Sequence, residues 1–254
     1  MHHVHTPRRL SRRPLVVAMS LLLAGAALPV LAAEPPCVDA DGNPTGAGTN
    51  QGAEDSEGIT GENSTCGSFA NAYGFFNIAA AGSSAFGFGN KAIGGNSNAF
   101  GHLNTASGVA SSAFGDTNIA SQLESSAFGY KNTASGVTSS AFGYLNTASL
   151  TGGSAFGYKN SAGTLASGFG LMNNAGGTNS SAVGNTNNAS ATKASAFGAN
   201  NTAATLNGNA FGYGNKVGDL YASAYAASAI GSFNIANGVS SSALGYMNSV
   251  GVGA

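Results

Sequence analysis

The triplet Ala-Phe-Gly returns every 14 residues through most of this chain. Phe86, Phe100, Phe114, Phe128, Phe142 and Phe156 are each 14 apart. A step of 13 leads to Phe169, and the spacing of 14 resumes through Val183, Phe197 and Phe211. Tyr73 lies 13 before Phe86, and Ile230 and Leu244 continue the column after an irregular step near Tyr225. A short fixed period means a stack of units in which each touches only its neighbours. Such stacks present long surfaces and seldom enclose a catalytic pocket, so the period limits function as well as fold.

A clean copy is SSAFGYKNTASGVT, Ser125 to Thr138, and it divides into two sevens. Short alternating segments broken by Gly and Asn read as strands and tight turns. Seven residues suit a strand of three to five plus a turn, and two sevens make one coil of an all-β solenoid. A helix is excluded by the recurrent Gly, each costing about 1 kcal/mol against Ala. One buried Phe contributes about 1.5–3 kcal/mol. Ordering the backbone of one coil costs on the order of 14–28 kcal/mol. Ladder hydrogen bonds, Ala packing and burial between chains must therefore help. Small residues on one face would let sheets of different chains approach closely, so we expect an obligate oligomer.

A second column is stricter than the first. Asn stands three residues after the triplet Gly at Asn77, Asn90, Asn104, Asn118, Asn132, Asn146, Asn160, Asn173, Asn187, Asn201, Asn215, Asn234 and Asn248. It persists where Phe becomes Val183, Ile230 or Leu244. Asn tolerates left-handed backbone and bonds nearby backbone groups. In stacked turns each amide could also bond the next coil. The column reads as a structural ladder.

Residues 1–32 read as a signal peptide. Arg8, Arg9, Arg12 and Arg13 precede an apolar stretch from Leu15 to Leu31, and Val30-Leu31-Ala32 supplies small residues for cleavage. Ser11-Arg12-Arg13 leaves the general and twin-arginine export routes both open. The remaining chain carries five lysines against ten carboxylates, a net charge of −5. With no basic patch, nucleic acid is not an expected partner.

Residues 33–68 form an acidic, Gly-rich segment read as a cap over the first rung. Seven of the ten acidic residues lie in it. Cys37 and Cys66 are the only cysteines, and in an exported chain they most simply form one disulfide. An intermolecular bridge is the alternative. Two thiols and the single mature histidine, His102, do not make a metal site. Asp39-Ala-Asp41-Gly42-Asn43 resembles the start of a calcium loop but runs into Pro44, and reads as an Asp-Gly turn. We expect no cofactor.

The 14-residue units, of the form S-x-A-[apolar]-G-x-x-[N/S]-x-A-x-G, resemble the head repeats of YadA-like trimeric autotransporter adhesins over residues 69–254. The resemblance implies a left-handed parallel β-roll, association of three chains, and a head that binds host surfaces. It departs from the family in two ways. Where that family continues into a stalk and membrane barrel, this sequence ends at Gly253-Ala254 within a repeat, with no transmembrane anchor of its own. It reads either as a fragment or as a head exported without an anchor. The collagen-binding form NSVAIG is replaced by NSNAFG at 96–101 and SSALG at 241–245, so collagen binding does not transfer.

The functional reading is an exported adhesin head, at the bacterial surface or outer membrane or secreted. It would attach to extracellular matrix, cell-surface macromolecules or abiotic surfaces, or to itself. Tyr130, Tyr144, Tyr158, Tyr213 and Tyr246 follow the triplet Gly and form a candidate binding stripe, since Tyr is large with a polar tip. The bland alternative is that these rings only cover the turn edge. An enzyme is not expected. His102 and Asp116 sit one coil apart and could meet on the surface, but they lack further partners. Two alternatives are an ice-binding solenoid and a structural surface-layer spacer. Against the first, the required Thr column is mixed: Thr105, Ile119, Thr133, Thr147, Ser161, Asn174, Asn188 and Thr202.

Overall fold

The structure of the protein, a computed structural model, describes residues 63–218 and 225–251, with the backbone of three short strands before them at 36–38, 44–47 and 53–54. The signal peptide and the calcium-like run at 39–43 lie outside the described residues.

The described chain is a parallel β-solenoid without helices. Each coil contributes one long and one short strand, such as Ser126–Tyr130 and Thr133–Ala134. Long strands stack into one 14-stranded sheet and short strands into another. Every 14-residue step is kept in register: Phe114 pairs with Phe128 and Phe128 with Phe142. Sheet formation starts before residue 69. Strand β3 (Ala53–Glu54) pairs with the long strand at Asn71–Phe75, and β4 (Ser64–Cys66) pairs with the short strand at Ile78–Ala80. The acidic segment thus supplies the first rungs of both sheets. Ahead of it, β1 (Pro36–Val38) and β2 (Pro44–Ala47) pair antiparallel, and β1 packs beside β4.

The interior is not aromatic. On the long strand burial alternates, with Ala127 wholly buried between partly exposed Ser126 and Phe128. On the short strand Ala134 is wholly buried. Among the described residues the core is a double file of Ala with one larger member, Val217. The expectation of a buried Phe is therefore corrected. Two sheets closed within 14 residues leave a lumen that fits methyl groups but not rings, so the rings turn outward. The Ala of both strands is spent inside, and the small residues left on the outer face of the long strand are the Ser of the Ser126 column.

Two turns close each coil, and both use left-handed backbone. In the turn from long to short strand this position is Lys131, with φ 52°, and in the return turn it is Thr138, with φ 54°. The ladder Asn is the residue after the first of these and has no positive φ. Its place at the turn rests on hydrogen bonding rather than on tolerance of left-handed geometry. The triplet Gly has a different reason. Gly115 has φ 115°, and a Cβ there would stand 2.1 Å from the Gly129 carbonyl oxygen. No larger residue fits that close passage of one coil over the next.

All three irregular steps fall in the return turn. Coils with a step of 14 place five residues between strands, as from Ala106 to Ser112. The 13-residue step leaves four, between Ala162 and Ser167. The other 13-residue step lies between Ile78–Ala80 and Ser84. The longest step lies between Val217 and Ser228. From Asn77 to Asn248 the turn that carries the ladder Asn keeps its length.

Candidate functional site

The outer face of the long-strand sheet carries two parallel aromatic columns. In the first, Phe86, Phe100, Phe114, Phe128, Phe142, Phe156 and Phe169 stack ring on ring. From Phe86 to Phe156 the centroid spacings are 4.7–4.8 Å and the planes lie within 6°. This spacing is the distance between strands, so the sheet sets it. Val183 interrupts the column, and Phe197 and Phe211 resume the stack at 5.1 Å. The column ends in exposed Ile230 and Leu244.

Two residues along each strand runs the second column: Phe75, Phe88, His102, Asp116, Tyr130, Tyr144, Tyr158, Leu171, Asn185, Ala199, Tyr213, Ser232 and Tyr246. Of the five tyrosines singled out in the sequence, three come together. Tyr130 and Tyr144 stack at 5.0 Å, and Tyr144 and Tyr158 at 5.1 Å. Tyr213 and Tyr246 stand apart from these, each edge-on to Phe233, at 5.1 and 6.4 Å. The five are one column by register and two clusters by contact.

A neighbouring column was not evident from the triplet. The residue before each ladder Asn projects from the same edge, and Phe76, Leu103, Met172, Phe233 and Met247 are exposed there. Lys131 and Lys159 belong to it. Their Nζ atoms lie over the Tyr130 and Tyr158 rings, 5.0 and 5.3 Å from the centroids. The signal that could have found this column is the same 14-residue step, read one position before Asn.

His102 and Asp116 meet: Nδ1 is 3.3 Å from Oδ2, with both side chains about half exposed. The Thr117 hydroxyl also donates to Asp116 Oδ1. That hydrogen bond, with smaller help from His102, holds the Asp116 carboxyl below its ordinary value of 3.8, against a smaller opposing effect of burial. The pair lies open on the sheet face, and no further acid, base or nucleophile is joined to it by the hydrogen bonds of the described residues.

Beneath the columns the ladder Asn side chains are buried, except Asn248. Asn132 Nδ2 shares its two protons among Asn118 Oδ1, the Phe128 carbonyl and the Gly143 carbonyl, at 3.0, 2.8 and 2.6 Å. Its Oδ1 accepts from the backbone N–H and the side-chain amide of Asn146, each at 3.0 Å. Each amide thus touches three successive coils. The pattern holds across the longest step, from Asn215 to Asn234. It also begins one coil earlier than the sequence column, at Asn63. Asn63 was missed because no Ala-Phe-Gly triplet precedes it.

Cys66 ends β4, and Cys37 lies in β1 beside it; the Cys37 side chain is outside the described residues. Among the described residues no helix is long and apolar enough to cross a membrane.

The family described as YadA head domain repeat (2 copies) matches residues 106–132, 134–160 and 175–201. No curated protein matches the chain. Each matched stretch spans about two coils of the parallel stack, and together they include the tyrosine cluster and much of the Asn ladder. With sequence and coil geometry in agreement over these stretches, the chain carries YadA head domain repeats.

Proposed function

We propose that this chain is the head of an exported bacterial adhesin that works as a homotrimer. The observation that carries the reading is the aromatic column. A continuous run of Phe rings on an outer sheet face is the kind of surface that monomeric proteins seldom leave to water. Covering the part of each ring still exposed contributes about 1 kcal/mol per coil. That gain repeats along the stack and favours association of copies in register. The head-repeat similarity argues for three chains. The tyrosine column at the edge of the same sheet then supplies the surface offered to extracellular matrix, cell-surface macromolecules or abiotic material.

Three further points complete the reading. Residues 1–32 direct export and are removed. Cys37 and Cys66 form one disulfide, supported by the packing of β1 against β4. The segment at 33–68 caps the stack, its own strands forming the first rungs. Catalysis has no part in it.

Two measurements test the reading. Light scattering at micromolar concentration should give a mass three times that of the chain, and a folded monomer would refute the assembly. Cells displaying the chain should attach to matrix-coated or plastic surfaces. Replacing Tyr130, Tyr144 and Tyr158 by Ser should reduce attachment while leaving the circular dichroism unchanged. Full attachment by that variant would make the column a structural edge.

A further inference from the structure

We propose that the Tyr130–Tyr144–Tyr158 cluster, with Lys131 and Lys159 at its two ends, binds a linear anionic polysaccharide laid along the solenoid axis. The proposal deepens the adhesin reading and rests on it, by naming the ligand class of the tyrosine surface.

The first argument is charge. Across the whole chain acidic residues outnumber lysines, but they are not evenly placed. Between 63 and 218 stand Lys91, Lys131, Lys159, Lys193 and Lys216 against Asp116 and Glu124. Residues 63–218 are thus mildly basic, and the acidity sits mainly in the segment before residue 63. Lys131 and Lys159 make no salt bridge among the described residues. The nearest acid in the column is Asp116, one coil before Tyr130, and His102 and Thr117 already engage it. Ring contacts hold the two ammonium groups, and although Asp116 attracts Lys131 from one coil away, neither lysine is closed into a salt bridge among the described residues. A hydrogen bond with Tyr130 further favours the charged form of Lys131.

The second argument is geometry. The three rings form a straight row with one phenol edge per coil, and Tyr144 and Tyr158 are each about 40% exposed. A rise of one coil is close to the length of one pyranose unit in an extended polysaccharide. Successive sugars can therefore meet successive phenols, with anionic groups two units apart reaching the two lysines. A single-stranded nucleic acid is disfavoured because its bases need open ring faces. Here the faces of adjacent tyrosines cover one another, leaving edges that suit hydroxyl-rich ligands.

The test is surface plasmon resonance on the assembled full chain with dextran sulfate, polygalacturonate, neutral dextran and oligo(dT). We expect one or both anionic polysaccharides to bind, with affinity falling as salt rises, and neutral dextran to fail. K131Q/K159Q should weaken binding by about tenfold, while K91Q/K216Q, on the short-strand sheet, should leave it unchanged. Absence of binding to both anionic polysaccharides overturns the proposal. So does equal weakening by the two lysine pairs, or binding of oligo(dT) with the same dependence on Lys131 and Lys159. The adhesin reading is judged separately by cell attachment. If attachment depends on the tyrosines but neither anionic polysaccharide binds, the ligand class falls and the adhesin stands. If the wild type does not attach, the adhesin reading falls as well.

Discussion

Replacing Asn132 by Ala should cost far more than an exposed amide would. The substitution removes the donor to the Phe128 and Gly143 carbonyls and to Asn118 Oδ1. It also removes the acceptor of the Asn146 backbone N–H. Asn118 Oδ1 keeps the Asn132 backbone N–H, and the Asn146 amide keeps its two carbonyl partners. The groups left short are thus the buried Asn146 N–H and two part-buried carbonyls. An unsatisfied buried group costs about 1–3 kcal/mol, and carbonyls that water can reach cost less, so we expect a loss of about 2–4 kcal/mol. The control is Asn174→Ala. Asn174 Nδ2 also bonds an Asn one coil on, Asn188 Oδ1, at 3.0 Å, but on the exposed outer surface. That change should cost under about 0.5 kcal/mol. Guanidinium unfolding followed by circular dichroism measures both. Because the stack is nearly one-dimensional, a break at its centre should also broaden the transition as the two halves uncouple. Equal costs for Asn132→Ala and Asn174→Ala would refute the view that burial gives the ladder its strength.

Other expectations follow from the same geometry. Gly115→Ala forces a residue with a Cβ into a φ of 115° and against the Gly129 carbonyl, and should destabilise by about 2 kcal/mol or more in the same assay. A five-residue polar insertion between Ala162 and Ser167 should leave the melting temperature within a few degrees. The same insertion between Tyr130 and Asn132 should lower the melting temperature markedly more, because it falls in the turn that keeps its length in every coil from Asn77 to Asn248. Asp116 titrates lower in the folded chain than in the unfolded one. Its contribution to stability is therefore present above 3.8 and is lost as pH falls through the lower folded value. Carboxyl NMR titration should show that depression, and Thr117→Ala should raise the Asp116 pKa; an unchanged value would reject the Thr117 hydroxyl as the main cause.

Much of the architecture was legible because repetition converts small propensities into a pattern. The period, the two strands per coil, the parallel stack and the placement of the Asn residues all follow from identical residues returning at fixed steps. What the period could not assign was the direction of each side chain. Ala and Phe are neighbours on a strand, so one must face inward and the other outward, and hydrophobicity alone favours Phe inside. Volume reverses that choice, since a coil closed in 14 residues has room for Ala127 and Ala134 but not for Phe128. For the same reason the tyrosines were visible as a column, but their lysine partners were not. Lys131 and Lys159 precede the ladder Asn at a left-handed turn, and only the turn's geometry brings their ammonium groups over the rings. The repeat and the ladder that joins its coils are readable in the order of residues alone. Which columns face water is settled only on folding, because the width of the lumen is a property of the closed coil and of no single residue in it.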